Sequence, residues 1–150
     1  MYQTDERVLV IINHVAARAG RAWPRIKSVL EEHEVRFEAA EPGAQGEVET
    51  RVRAALREGF QTIAIVGGDG TLSEAARGFF ESTAHLKDDE LPARIETTAA
   101  LAILPAGTGD DFARGLKGAR ASLDECLQKL VKHYERLRLR LDGHGAAEQA

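Results

Sequence analysis

Short apolar runs alternate along the chain with amphipathic segments. The first run, Val8 to Ile12, is continuous and β-branched, which is typical of a strand that is covered on both faces of a parallel sheet. Three more strands are predicted at Val35 to Phe37, Thr62 to Val66 and Ala100 to Leu104. A core made by such strands needs helices on both sides.

Segments with apolar residues three and four positions apart separate these strands, as expected of amphipathic helices. They predict helices at about residues 21–32, 47–58, 72–80, 111–116 and 123–133. The polar stretch from Glu81 to Thr98 is expected to be a surface connection. Strands that alternate with helices predict an α/β fold, a Rossmann-like three-layer sandwich with a mostly parallel sheet.

Leucine alternates with arginine in the run Arg136 to Leu141. This period of two predicts a further strand. We place a first domain at residues 1–134 and expect residues 135–150 to begin a second domain or a tail. An unpaired strand here would be adhesive, which makes a homodimer one expected state of the chain.

Composition narrows the classes of function. The chain has 150 residues, the size of one domain, and a net charge of −4, so no overall basic field would attract nucleic acid. Cys126 is the sole cysteine, which excludes an internal disulfide, and its leucine neighbours predict a core position. No apolar run has the length of a membrane span and the first residues do not resemble a secretory signal, so we expect a cytoplasmic protein.

A glycine-rich loop, Gly67-Gly68-Asp69-Gly70-Thr71, follows the third predicted strand. Its glycines allow a ligand to approach the backbone, and its amides, with the positive end of the next helix, would form a phosphate site. The Asp69 carboxylate would repel phosphate unless Mg²⁺ lies between them. The alternative is a tight turn that binds nothing, with Asp69 as a helix cap, or with Thr71 as the N-cap and Glu74 completing a capping box.

A second glycine loop follows the fourth predicted strand. In Pro105 to Arg114, Gly107 and Gly109 flank the hydroxyl of Thr108, which could donate to a phosphate oxygen. Two such loops at one edge of a sheet predict one shared site.

Together, the segments Gly67 to Glu74 and Pro105 to Arg114 resemble the catalytic domain of diacylglycerol kinases, a family that includes sphingosine kinases, ceramide kinases and bacterial lipid kinases. The first motif alone is also similar to NAD kinases. The resemblance implies transfer of the γ-phosphoryl group of ATP to a lipid hydroxyl with Mg²⁺. It implies ATP-binding roles for Asn13, Gly67, Gly68, Asp69, Gly70, Thr71, Glu74, Gly107 and Thr108, and makes Asp69 a possible metal ligand.

The sequence departs from the family in three places. Near the end of the second strand, where many bacterial members have a threonine that contacts the nucleotide, this chain reads Phe37-Glu38-Ala39. His14 follows Asn13 where the family usually has proline, and Asp110 stands where the family commonly has asparagine. The family also has a second, largely β domain that supplies the lipid-binding surface and the catalytic base. We therefore expect this chain to need that second domain for its lipid substrate, and to meet the membrane surface only transiently. The other functions considered are an NAD kinase-like enzyme and a non-catalytic nucleotide-sensing domain.

Overall fold

The computed structural model describes residues 5–14, 17–84, 86–106 and 122–149. Strands and helices alternate in the order β1 Asp5–Ile12, α1 Ala17–Glu32, β2 Phe37–Ala40, α2 Glu47–Glu58, β3 Phe60–Gly67, α3 Asp69–Arg77, β4 Ala100–Pro105 and α4 Leu123–Gln149. The four strands form one sheet in the order β2-β1-β3-β4, and every neighbouring pair is parallel. The predicted α/β sandwich with a parallel sheet is confirmed.

Two separate cores cover the two faces of the sheet. On one face, β1 residues such as Val8 and Val10 pack with α1 and α4. On the other, Leu9 and Ile11 pack with α2 and α3. Successive side chains of a strand point to opposite faces, and both faces are covered here, so the central strands need apolar residues at every position.

The bounds of several elements differ from the prediction, and α1 begins at Ala17, about four residues before its predicted start. The second strand begins at Phe37 instead of Val35, because Val35 closes the end of α1, where its amide donates to the Leu30 carbonyl. The third helix begins at Asp69, three residues before the predicted start, because the glycine loop itself forms the first turn. The predicted helix at residues 111–116 lies outside the described residues.

The predicted strand at Arg136 to Leu141 is wrong, because these residues continue α4. The alternation of leucine with arginine hides a second period: Tyr134, Leu137 and Leu141 are three and four residues apart and are buried or half-buried. Leucine and arginine also favour helices strongly. Adhesion through a free strand edge therefore has no basis, and the boundary proposed near residue 134 falls within one helix.

The other two expectations for the second half of the chain agree with the structure. Between α3 and β4 the described residues contain no helix or strand, only an isolated bridge between Phe80 and Arg94. Cys126 is half-buried and packs at the margin of the core beneath α1 and α4. No helix in the described part of the chain is long and apolar enough to cross a membrane.

Two polar contacts fix α4 against residues at the beginnings of β2 and β3. The Tyr134 hydroxyl accepts a hydrogen bond from the Arg36 amide at 3.3 Å. His133 Nε2 lies 3.2 Å from Thr62 Oγ1, and the Thr62 side chain is fully buried. Burial lowers the pKa of His133 below its ordinary value of 6.5, and the nearby guanidinium groups of Arg136 and Arg140 lower it further.

The lowered pKa of His133 predicts a pH-dependent stability. The unfolded chain takes up the proton near pH 6.5, whereas the folded chain takes it up only at a lower pH. The contribution of His133 to the stability of the fold is therefore constant above about pH 6.5. It declines as the pH falls below 6.5, and it levels off below the pKa of the folded state. We expect His133→Gln to flatten the fall in unfolding free energy between about pH 7.5 and about pH 5.5, measured by urea denaturation.

The matched control is His33→Gln, which changes an exposed histidine beyond the end of α1. This substitution should leave the pH profile parallel to that of the unchanged chain. A difference between the His133→Gln and unchanged chains that stays constant with pH would contradict the argument.

Candidate functional site at the carboxyl edge of the sheet

The strand order creates a crevice at the carboxyl edge. From β1 the chain crosses to β2 on one side, and it later places β3 and β4 on the other side. The connections therefore diverge between β1 and β3, the usual place for a ligand in an open parallel sheet. Asn13 follows β1 at this point, Gly68 follows β3 and Ala106 follows β4.

Asn13 and Thr71 join the loop after β1 to the first turn of α3. Asn13 Nδ2 donates to Thr71 Oγ1 at 2.8 Å, although the two residues are 58 positions apart. The backbone N–H of Asn13 also donates to the backbone carbonyl of Val66 at 3.3 Å. Because Thr71 is buried, this contact fixes both loops relative to each other.

Gly67 is required by close packing. A Cβ atom on this residue would lie 2.9 Å from Thr71 Oγ1 and 3.1 Å from Thr71 Cβ. The Gly67 carbonyl accepts a hydrogen bond from the Ala106 amide at 3.1 Å, which brings the start of the third loop beside the first two. The structure thus brings Asn13 after β1, the glycine loop after β3 and Ala106 after β4 close to one another.

The N-terminus of α3 faces this junction. Gly68 is the N-cap in an extended conformation, with φ −114° and ψ −163°, and no side chain caps the helix. The first-turn amides, including those of Gly70 and Thr71, have no acceptor within the helix. Gly70 is exposed, and apart from its chain neighbours and the helix backbone, no atom of the described residues lies within 4 Å of a Cβ placed there. An anion can therefore reach this helix end.

The alternative capping roles of Thr71 and Asp69 are not what the structure shows. Thr71 is the third residue of α3, so it is not the N-cap, and its hydroxyl accepts the hydrogen bond from Asn13. Asp69 is the first residue of the helix and its only acidic residue in the first turn. A carboxylate there is stabilised by the positive end of the helix dipole.

Glu74 makes a contact that the sequence did not reveal. Its Oε1 atom accepts a hydrogen bond from the Gly46 amide at 2.6 Å, which links α3 to the start of α2. Gly46 is the N-cap of α2 and has a φ of 88°, a conformation that favours glycine. The sequence offers one signal for this contact, a glycine that precedes an amphipathic helix. Such a glycine does not identify a hydrogen-bond partner 28 residues away.

His14 and Glu41 form a second unforeseen contact at this edge. His14 Nε2 lies 2.8 Å from Glu41 Oε1, which connects the loop after β1 to the loop after β2. Gly20 of α1 lies against the same ring, since a Cβ there would be 3.3 Å from His14 Nδ1. Both side chains are about half exposed.

Two further features bear on which ligands this part of the molecule could hold: a cleft beside β2 and the distribution of metal-ligating side chains. A cleft of about 710 Å³ opens between the end of β2 and α2, and its lining includes Glu41, Glu47, Glu49 and Arg51. Its carboxylates do not suit a phosphate. Within the described ranges, no three histidine, cysteine, aspartate or glutamate side chains cluster as a metal site. Gly107 and Thr108 lie outside the described residues.

Comparison with known proteins identifies the family. Residues 7–138 match the model of the diacylglycerol kinase catalytic domain. The chain is 35% identical over 85 residues to a "Probable lipid kinase YegS-like" protein of Xanthomonas campestris, a match that covers 57% of this chain and 25% of that protein. It is 44% identical over 69 residues to a protein of the same name from Pseudomonas aeruginosa, covering 46% and 18% of the two chains.

Solved structures agree with this match. A diacylglycerol kinase structure from Bacillus anthracis superposes with a TM-score of 0.63 and 25% identity, over 85% of this chain and 40% of that one. The chain thus spans a quarter or less of the length of these two curated relatives and two fifths of that structure. The chain belongs to the diacylglycerol kinase catalytic domain family.

Proposed function

We propose that this chain is the ATP-binding part of a lipid kinase, which transfers the γ-phosphoryl group of ATP to a lipid hydroxyl such as that of diacylglycerol. The observation that carries the proposal is the meeting of Asn13, the glycine loop and Ala106 beside the N-terminus of α3. Family membership supports the reaction class, and the glycine geometry supports a phosphate ligand.

The phosphate site would be made mainly of backbone. The first-turn amides of α3 would donate to phosphate oxygens, and Gly70 leaves the space through which those oxygens reach the amides. The Asn13 to Thr71 hydrogen bond would hold the loops in place before the ligand arrives. Such a preorganised site loses little conformational freedom on binding, which favours affinity.

Asp69 fits a role beside magnesium. Mg²⁺ is usually held by one or two carboxylates together with substrate phosphates and water. Asp69, in the first turn of α3, would supply one such carboxylate. Bound there, the cation would neutralise negative charge on the transferring group.

The acceptor lipid and the catalytic base need a further part of the protein. Of the titratable side chains described at this edge, His14 and Glu41 contact each other and Glu74 accepts a hydrogen bond from the Gly46 amide. Asp69 lies where we place the metal. We propose that the base and the lipid-binding surface lie outside these 150 residues, in keeping with the greater length of the relatives.

Calorimetric titration of ATP tests the site. Gly68→Val places a branched side chain at the loop while keeping a backbone conformation that valine tolerates, so steric exclusion of phosphate should weaken binding tenfold or more. Asp69→Ala should weaken binding to a similar degree when Mg²⁺ is present, a loss of roughly 1.4 kcal/mol or more.

The dependence of ATP binding on Mg²⁺ separates the effect of the Asp69 charge from the effect of its size. With EDTA in place of Mg²⁺, Asp69→Ala should bind ATP as well as the unchanged chain or better, because a repelling carboxylate has been removed. Asp69→Asn, which keeps the size of the side chain, should behave like Asp69→Ala in both conditions. Equal affinities in all three chains, together with full binding by Gly68→Val, would remove the basis for this site.

A further inference from the structure

Two adjacent side chains hold the loop after β1 from its two sides. Asn13 Nδ2 donates to Thr71 Oγ1 of α3 at 2.8 Å, on the side where β3 pairs with β1. His14 Nε2 lies 2.8 Å from Glu41 Oε1, which follows β2 on the other side of β1. A carboxylate only accepts hydrogen bonds, so His14 Nε2 is the donor. The two contacts therefore span the point at which the connections of the sheet diverge.

A third hydrogen bond closes these contacts into a ring. The amide of Gly46, the N-cap of α2, donates to Glu74 Oε1 at 2.6 Å. Gly46 ends the loop that Glu41 begins. Glu74 lies three residues after Thr71 on α3. The contacts thus run from α3 to the loop after β1, on to the loop before α2, and back to α3. We call this closed set of three hydrogen bonds the edge ring.

The His14 imidazole is held on a second side by α1. A Cβ atom on Gly20 would lie 3.3 Å from His14 Nδ1, closer than an ordinary contact, so the missing side chain leaves room for the imidazole. Gly20 lies inside α1, although glycine favours helices poorly. The imidazole is therefore placed between α1 and Glu41, with its Nε2 atom directed to the carboxylate.

The exposure of His14 and Glu41 limits what their contact adds to stability. The two side chains are 46% and 54% exposed, and a surface pair of this kind contributes little to the free energy of unfolding. Its effect on position is different, because it is the link of the edge ring between the loops after β1 and β2. Without this link, the loop after β1 could move relative to the loop before α2, and the ring would no longer fix the start of α3.

We propose that His14 and Glu41 are a positioning pair for nucleotide binding. Their hydrogen bond closes the edge ring and keeps Asn13 and the first turn of α3 in the arrangement that receives a phosphate. This inference rests on the proposed function, which places the phosphates at that turn. When only a fraction of the molecules has the binding arrangement, the apparent affinity falls by that fraction.

Calorimetry with ATP and Mg²⁺ on the whole chain measures the effect of the pair. His14→Ala and Glu41→Ala should each weaken ATP binding about fivefold, which corresponds to about 1 kcal/mol. The double variant should bind about as well as either single variant, because both changes remove the same hydrogen bond. His14→Gln and Glu41→Gln should each keep the affinity, since an amide can donate or accept in place of the original group. Glu41→Gln also separates the hydrogen bond from the charge of Glu41.

The matched control is Arg36→Ala, which breaks a contact between the same two strands at the opposite edge of the sheet. Arg36 immediately precedes β2, and its Nη1 atom lies 3.0 Å from Oε1 of Glu6 in β1. This variant should bind ATP as the unchanged chain does. Thermal unfolding should show similar small effects in Arg36→Ala and His14→Ala, so that a difference in affinity between them reflects position and not stability.

Amide hydrogen exchange by NMR, without nucleotide, tests the edge ring independently of ATP. In His14→Ala, the amides of Asn13 and Gly46 should exchange at least about fivefold faster, whereas in Arg36→Ala they should exchange as in the unchanged chain. Faster exchange in a chain that does not bind ATP would support the ring and count against the proposed function alone.

Three results would overturn the positioning role. The first is exchange in His14→Ala that equals exchange in the unchanged chain, or ATP binding that is equal in the two. The second is a double variant whose loss of affinity is the product of the two single losses, since His14 and Glu41 would then act separately. The third is a His14→Gln chain that binds ATP as weakly as His14→Ala does.

Discussion

Replacing Gly78 by alanine is expected to lower the free energy of unfolding by about 1–3 kcal/mol. Gly78 follows α3 with a φ of −65°, so its backbone does not require glycine. Space is the constraint: an added Cβ would lie 2.7 Å from Val52 Cβ and 2.8 Å from the Glu49 carbonyl oxygen. Both atoms belong to α2, and the carbonyl is backbone, so the contact can be relieved only by moving the two helices apart.

Urea denaturation gives the measurement, with Gly143→Ala as the control. Gly143 lies in α4, and a Cβ there would have no other atom within 4 Å. That substitution should be neutral or stabilising by up to about 1 kcal/mol, since alanine favours helices over glycine. If Gly78→Ala left the midpoint unchanged, α2 and α3 would have to be less closely packed than the structure shows.

The packing of α2 on α3 matters to the site because the first turn of α3 is part of the glycine loop. Arg77 Nε lies 3.4 Å from Glu49 Oε1, and Glu74 accepts the hydrogen bond from Gly46. These contacts fix the direction of α3, whose N-terminus is the proposed phosphate site. A helix whose axis shifts would carry its first-turn amides out of position.

The sheet could be predicted from the sequence because the burial of its strands leaves a direct mark. A strand covered on both faces is expected to be largely apolar, and β3 meets this condition from Ile63 to Val66. Thr62 is buried but polar, and its hydroxyl lies 3.2 Å from His133 Nε2 of α4. The end of α4 could not be predicted in the same way. The apolar residues from Arg136 to Leu141 fit the period of two of a strand, and with Tyr134 included they also fit the spacing of a helix. Which of the two structures forms depends on whether a neighbouring strand is there to pair with.

The site could be predicted in its parts but not in its connections. Glycine beside hydroxyl and carboxylate residues, placed after strands, indicated Asn13 and the loop from Gly67 to Thr71, and the structure brings Asn13 to Thr71. The roles in ATP binding stay predictions. The contacts of Glu74 with Gly46 and of His14 with Glu41 join loops 28 and 27 residues apart, and such pairs follow only from the folded arrangement of the strands.

The structure also distinguishes two reasons for glycine in one loop. Gly67 has Thr71 packed against it, whereas nothing lies near the position of a Cβ on Gly70. Composition alone treats the two residues as equivalent. Packing explains the first, but the described part of the chain shows no packing requirement for the second, which agrees with our proposal that a ligand approaches there.

Replacing Gly70 by alanine is therefore expected to separate stability from nucleotide binding. The free chain should be unchanged or more stable by up to about 1 kcal/mol, since Gly70 lies in the first turn of α3 and alanine favours a helix. ATP affinity should fall tenfold or more, because the new methyl group stands over the amides that would receive a phosphate.

Thermal unfolding without ligand and calorimetry with ATP and Mg²⁺ measure the two effects in the same preparation. Gly43→Ala is the control: Gly43 is exposed, precedes α2 and likewise has nothing near its Cβ position, so neither quantity should change much. A joint fall of stability and affinity in Gly70→Ala would show that this glycine serves the fold. Unchanged affinity would place the phosphates away from the N-terminus of α3. Only greater or equal stability with weaker binding fits a glycine whose missing side chain makes room for the ligand.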